Sequence, residues 1–388
     1  MSRTMALRLA VAGMLALGIA QIVSAQIGKK ILVRAGTPED KALMAIDSAT
    51  ALAEKVDLLD KFMAEFGQSE FILHACDRYI LAYAAEKQYD KAFEYAAKGL
   101  AYDPENLALA MTTFRAAQES GSLKHLVDWG ERVGGIVQAY KKKNPPEGID
   151  AAAWEEKKSQ SLKDASGEIS YVEYTLFNAG VTSKDPAQKA EILDRFSSAF
   201  PGSPYASDAA TVAADAYRQA RNTARMLEFA QRTLARDPSH VGMLLLLSEH
   251  WTENKEQFDK AEEYARRALD LLARAQKPAQ ATEEQWKQQV ELQSGLAYSA
   301  LGQIHVNRKR DAQAVDALRL AAPLLRPYDF YYARNQYVLG FALLNLRRTA
   351  EAKPVFTEAA GLNTPYRPLA QAKLNELAGP ARPAKKKR

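Results

Sequence analysis

Histidines, cysteines and glycine-rich phosphate loops are where a sequence announces chemistry, and they are sparse in this one. The five histidines are His74, His125, His240, His250 and His305. No two stand four apart, so no helix would present a His-x-x-x-His pair to a metal. His240 and His250 lie ten residues apart without a carboxylate-rich frame. All five are read as structural or surface groups. The stretch WGERVGG at 129–135 is rich in glycine, but no Lys-Ser or Lys-Thr follows to make a phosphate loop. There is no G-x-S-x-G nucleophile elbow. The single thiol, Cys76, sits among apolar positions of helical spacing and reads as a small buried hydrophobe. Alone, it can close no internal disulfide. We therefore assign no catalytic residue, no metal ligand, no cofactor and no small-molecule substrate, and expect a protein that is not an enzyme.

What remains is recognition chemistry. The stretch YDFYYARNQYVLGF at 328–341 concentrates Tyr, Phe and Arg, residue types that dominate binding hot spots because they join rigid contact area to a polar end. The competing reading is that Tyr328, Phe330 and Tyr331 plug the junction between two helical pairs. Which reading holds depends on the elements that carry these residues.

Those elements are helices. In 388 residues, 47% are hydrophobic and 26% charged, ordinary for folded protein. Ala, Leu, Glu, Lys, Gln and Arg dominate and favour helix. The helices repeat. KAFEYAAKGLAYDP at 91–104 returns as RMLEFAQRTLARDP at 225–238, and again in part as KAEEYARRAL at 260–269 and HLVDWGERVG at 125–134. Sliding the chain on itself by 134, the distance from Lys91 to Arg225, lays AEKVDLLDKFMAEFGQSEF at 53–71 on AQKAEILDRFSSAFPGSPY at 187–205 without a gap. The register continues through Tyr83 and Tyr217, and through Asp103-Pro104 and Asp237-Pro238. Such a displacement is close to four units of about 34 residues, a spacing typical of stacked helical pairs.

The units resemble tetratricopeptide repeats. Starting units at Leu73, Ser207, Gly295 and Ala333 brings equivalent residues to equivalent places. Tyr83 and Tyr217 share position 11, while Ala92, Ala314 and Ala352 share position 20. Leu301-Gly302 and Leu339-Gly340 form the family's Leu-Gly pair, and Pro104 and Pro238 close their units. No single unit carries the whole pattern. The resemblance implies an all-α fold, an irregular α-solenoid of antiparallel helical pairs wound as a right-handed superhelix, with two longer inserted helices. It also implies a groove lined by positions 2, 5, 9 and 12 of each unit. Here these include Asp208, Asp215, Arg218, Gln303, Arg334, Tyr337 and Phe341, our candidate partner-binding residues. In the Leu73 unit they read His74, Asp77 and Leu81, which departs from the basic carboxylate clamp of many tetratricopeptide grooves. An extended partner of mixed polarity is expected instead. FPGSPYA at 200–206 resembles units of periplasmic members of the family that work in envelope assembly and division.

The ends address the chain. Arg3 and Arg8 precede the apolar run LAVAGMLALGIAQIV, and small residues lead to a cleavage point between Ala25 and Gln26, the pattern of a removed export leader. The net charge of +5 belongs to the ends: without the two leader cations and the five of the tail it is −2. The body is no nucleic-acid binder by composition. The expected organisation is a leader over 1–25, a linker over 26–37 and a first array over 38–140. An irregular turn and lengthened helix follow over 141–168, then a second array over 169–277 that partly duplicates the first. C-terminal repeats over 278–378 and a disordered basic tail over 379–388 complete it. The tail could touch anionic lipid weakly. The expectation is an exported scaffold, periplasmic or secreted, holding a protein or peptide partner. Its rivals are an enzymatic or enzyme-accessory protein with a site near 141–186, and a structural secretion or surface component.

Overall fold

Apolar residues recurring every three to four positions in an Ala- and Leu-rich chain favour helices that each bury one stripe. In the computed structural model, which describes residues 27–29, 31–278 and 281–378, the described residues form 18 helices and no strand. The leader with Ala25 and Gln26, and the tail over 379–388, lie outside the described residues. In chain order the helices are α1 (Pro38–Ser48), α2 (Leu52–Phe66), α3 (Ile72–Ala85), α4 (Tyr89–Tyr102), α5 (Leu107–Glu119), α6 (Leu123–Lys142), α7 (Ala151–Asp164), α8 (Ser166–Thr182) and α9 (Pro186–Ala199). They continue as α10 (Ala206–Gln219), α11 (Thr223–Arg236), α12 (Val241–Glu253), α13 (Phe258–Arg274), α14 (Glu283–Asn307), α15 (Asp311–Leu325), α16 (Asp329–Asn345), α17 (Thr349–Gly361) and α18 (Tyr366–Ala378).

The repeat seen in sequence is a repeat of elements. Moving α2–α5 along by 134 residues lands on α9–α12, with every start and end matched to within one residue. Asp-Pro ends α4 and α11 at the same place, because proline brings no N–H and its ring blocks a further turn. The turns inside the pairs repeat as well. Lys87, Arg221, Lys255, Lys309 and Arg347 all hold left-handed backbone, φ 56–61°, and Gly121 does so at 69° between α5 and α6. The following N–H donates to a carbonyl five residues back, as in Gln88 to Tyr83, Asn222 to Tyr217 and Arg348 to Leu343, at 2.8–2.9 Å. This pattern satisfies carbonyls that a helix end otherwise leaves bare. A basic side chain at the turn also suits the negative end of the helix dipole.

Each first helix packs on its own partner and on the first helix of the next pair. α3 lies on α4 and α5, α12 on α13 and α14, α14 on α15 and α16, and α16 on α17 and α18. This is the all-α solenoid arrangement. The crossings occur at small residues. Gly302 faces Leu318, and a side chain on Gly340 would put its Cβ 2.5 Å from the Phe356 ring. Ala92, Ala314 and Ala352 are wholly buried, and Tyr83 and Tyr217 fill the neighbouring space.

Packing divides the chain between Ala213 and Ala214, inside α10, into two compact units. In the first, the irregular stretch after α6 is tied down by its own side chains. Trp154 donates its indole N–H to the Lys143 carbonyl at 3.0 Å, and the buried Lys158 ammonium donates to the Lys141 and Lys143 carbonyls at 3.2 Å. In the second, α14 runs for 25 residues from a reciprocal Thr282–Gln285 cap. Trp154 and Trp286 stand at similar sequence places, yet Trp154 is buried and Trp286 only partly so.

Gly340→Val forces Phe356 aside and should lower stability by about 2 kcal/mol, as overpacked cores do. Arg347→Gly relieves a left-handed residue and should raise it by roughly 0.5–1 kcal/mol. Urea unfolding followed by helicity checks both.

Candidate functional site

The second unit gathers several of the expected groove residues but uses them internally. Arg334 on α16 is 4% exposed. Its guanidinium donates to Glu249 and, at 3.0 Å, to Glu253, both on α12. It also lies 5.5 Å from the centre of the Tyr331 ring and 5.9 Å from that of Phe330. Burial pushes the Glu253 carboxyl above its ordinary value, with Glu249 beside it adding to the rise. Tyr337 is half-buried against Phe341, Phe356 and Tyr366 at ring-centre distances of 4.9, 5.9 and 5.7 Å. Asp215 pairs with Arg218, and Gln303 donates to the Ser299 carbonyl one turn back, at 3.4 Å. Asp208, on the part of α10 that belongs to the first unit, is exposed. Tyr337 thus packs with Phe341 and Tyr366 inside the second unit, whereas Phe330, one of the residues expected to plug a junction, is 46% exposed beside Tyr331 and Tyr366. Arg334 itself offers little surface to a partner.

The first unit differs. A cavity of about 470 Å³ opens along α3 and α5 and reaches Glu168 on α8. Its α3 wall carries His74, Asp77 and Leu81, the groove positions of the Leu73 unit. Its α5 wall carries Met111, Thr112, Arg115 and Glu119. Helical spacing explains the set: 74, 77 and 81 lie on one face of α3, and 108, 112, 115 and 119 on one face of α5. The Thr112 hydroxyl donates to the Asp77 carboxylate at 2.9 Å. Arg78, next to Asp77 in the chain, is held by Asp47 through two contacts of 2.7 Å. Burial therefore pushes the Asp77 carboxyl up, although Thr112 and Arg78 partly oppose it. Burial pushes His74 down, and its Nε2 has no hydrogen-bond partner. Beside this polar pair Leu81 is 55% exposed. Beyond Arg115 and Glu168, which pair at 3.2 Å, Tyr171 and Tyr174 stand exposed on α8. The face thus sets a desolvated carboxylate at Asp77 beside exposed Leu81, with the two tyrosines further along.

Cys76 lies behind the face against Gly99, and burial pushes its thiol up to about 11. Among the described residues no group of His, Cys, Asp and Glu is gathered to hold a metal ion, and no helix is long and apolar enough to cross a membrane.

No family model and no curated protein matches the chain. Solved structures do. MamA, in a mutant form, is 20% identical over 49% of this chain and 97% of that one, with a TM-score of 0.33. Yeast Tom70 is 13% identical over 90% of this chain and 66% of that one, at 0.39. Cut9 with Hcn1 is 16% identical over 87% and 62%, at 0.40. The repeat assignment itself rests on the helix bounds, turns and small-residue crossings of this chain. Its fold is tetratricopeptide-like.

Sequence reasoning placed His74, Asp77 and Leu81 at groove positions but did not rank them above the aromatic stretch. The signal it lacked was that Arg334 would be claimed by two glutamates 81 and 85 residues away in sequence.

Asp77→Asn keeps an acceptor for Thr112 and removes a desolvated charge. It should raise the melting temperature at pH 8. The gain should shrink as pH falls through the raised carboxyl pKa, because the parent Asp77 then becomes neutral in the folded state and regains that stability. Arg334→Ala, which leaves Glu249 and Glu253 facing each other, should instead cost about 2–4 kcal/mol.

Proposed function

We propose that this chain is an exported, non-enzymatic scaffold that holds an extended segment of a partner protein on the α3/α5 face of its first unit. The observation that carries the reading is Asp77, a half-buried carboxylate with a hydroxyl partner but no cation of its own, set beside exposed Leu81. A desolvated charge costs stability, and a partner supplying a cation relieves that cost while its apolar side chain gains by covering Leu81. Export rests on the leader pattern ending at Ala25, and an envelope setting on that pattern together with FPGSPYA at 200–206. The cationic tail adds a weak attraction to anionic lipid as a secondary contact. The rival site near 141–186 has less to support it, because Trp154, Lys158 and Ser161 there bond to α6 and its end.

Selection of a random peptide library on the immobilised chain tests the reading. Binders should share a Lys or Arg near apolar residues. They should weaken at least tenfold on Asp77→Asn and on Leu81→Asp, and bind Tyr337→Ala as they bind the parent. Binders lost on Tyr337→Ala and kept on Leu81→Asp would move the site to the second unit. A selection that yields no binder would remove the peptide groove.

A further inference from the structure

The stretch expected to be a plain linker is partly docked. Ile27 is 2% exposed, and its carbonyl accepts the Leu107 N–H at the start of α5, at 3.3 Å. The Lys29 N–H donates to the Asp103 carboxylate at 2.7 Å, and the Lys29 ammonium lies 4.5 Å from the centre of the Tyr102 ring. Ile27, Lys29 and Ile31 all line the α3/α5 cavity. Gly28 between them has φ +102°, and a Cβ there would meet the Asn106 Cα at 2.8 Å. A residue with a side chain does not fit this close approach.

The duplication supplies an internal control. Asp103 and Asp237 end equivalent helices 134 residues apart, and both cap their own turns: Asp103 accepts from Glu105 N–H and Asp237 from Ser239 N–H. Asp237 is exposed, whereas Asp103 is 4% exposed, under Ile27–Lys29. The burial and the extra bond come from the segment and not from the turn.

We propose that Ile27–Lys29, with Ile31, is an intramolecular occupant of one end of the groove, and that a partner's extended segment enters by displacing it. The proposal rests on the peptide-groove reading and adds the chemistry of the ligand. The segment presents an apolar residue for the pocket at Leu107, then a glycine that lets backbone approach the 103–106 turn, then a residue whose N–H reaches Asp103 and whose cation covers Tyr102. A partner segment that replaces it carries the same order: apolar, small, cationic.

The test uses the full chain and a fluorescent peptide of sequence IGKKILVRAG, residues 27–36. Gly28→Val strains the segment and leaves the groove residues untouched, so helicity should be unchanged. Exchange of the Lys29 and Leu107 amides should speed up at least tenfold. The peptide should bind this variant at least tenfold more tightly than it binds the parent. Asp103→Ala added to Gly28→Val should abolish that gain. Unchanged exchange at Lys29 and Leu107, equal binding to parent and variant, or no binding to a variant whose exchange has sped up would each overturn the proposal. If library-selected peptides still need Asp77 and Leu81 after such a result, the groove reading stands and only the occupant role of Ile27–Lys29 and Ile31 is lost.

Discussion

Two helices can cross closely only where one offers almost no side chain, and this architecture depends on that constraint. Gly302 under Leu318 and Gly340 under Phe356 each set one crossing, and Gly99 against Leu109 sets another. A crossing at such a point brings bulky neighbours into mutual contact: Phe356 then packs with Tyr337 and Phe341 at 5.9 Å from each. Every pair ends up with one face that only the next pair can cover, so stability propagates along the chain between neighbours. The first helices keep a second face away from these crossings, where residues can vary without disturbing them.

The duplicated helices show how far that face has varied. The 134-residue register sets Arg115 against Glu249 and Glu119 against Glu253. In the second unit the two glutamates receive the buried Arg334. In the first, Arg115 pairs at the surface with Glu168, and Asp77 stays desolvated with Thr112. In the second copy the two glutamates are paired from within the chain, and in the first Asp77 keeps only its hydroxyl partner, beside exposed Leu81. That asymmetry adds to the proposal for the first unit, which Asp77 carries.

Much of the fold was legible because packing repeats and repetition is visible. Asp103-Pro104 and Asp237-Pro238, the Leu-Gly pairs and the displacement of 134 marked helix ends and crossings before any coordinates. The left-handed turns were not legible. Lys87, Arg221, Lys309 and Arg347 look like ordinary surface cations, and only their shared offset after a first helix would have flagged them. The site was half legible. Periodicity placed His74, Asp77 and Leu81 on a groove face, but no local pattern could show that Arg334 is consumed by α12 or that Ile27 folds back onto Leu107. Those are long-range pairings, and a sequence read in windows cannot weigh them.

A photo-crosslinking residue placed singly at positions 81, 171, 337 and 341, in the chain expressed in its own host, tests the central claim most directly. Position 81 on α3 and position 171 on α8 should crosslink to one common partner protein, and positions 337 and 341 should give no crosslink to it. Crosslinks to that partner from 337 and 341, with none from 81 and 171, would contradict the account.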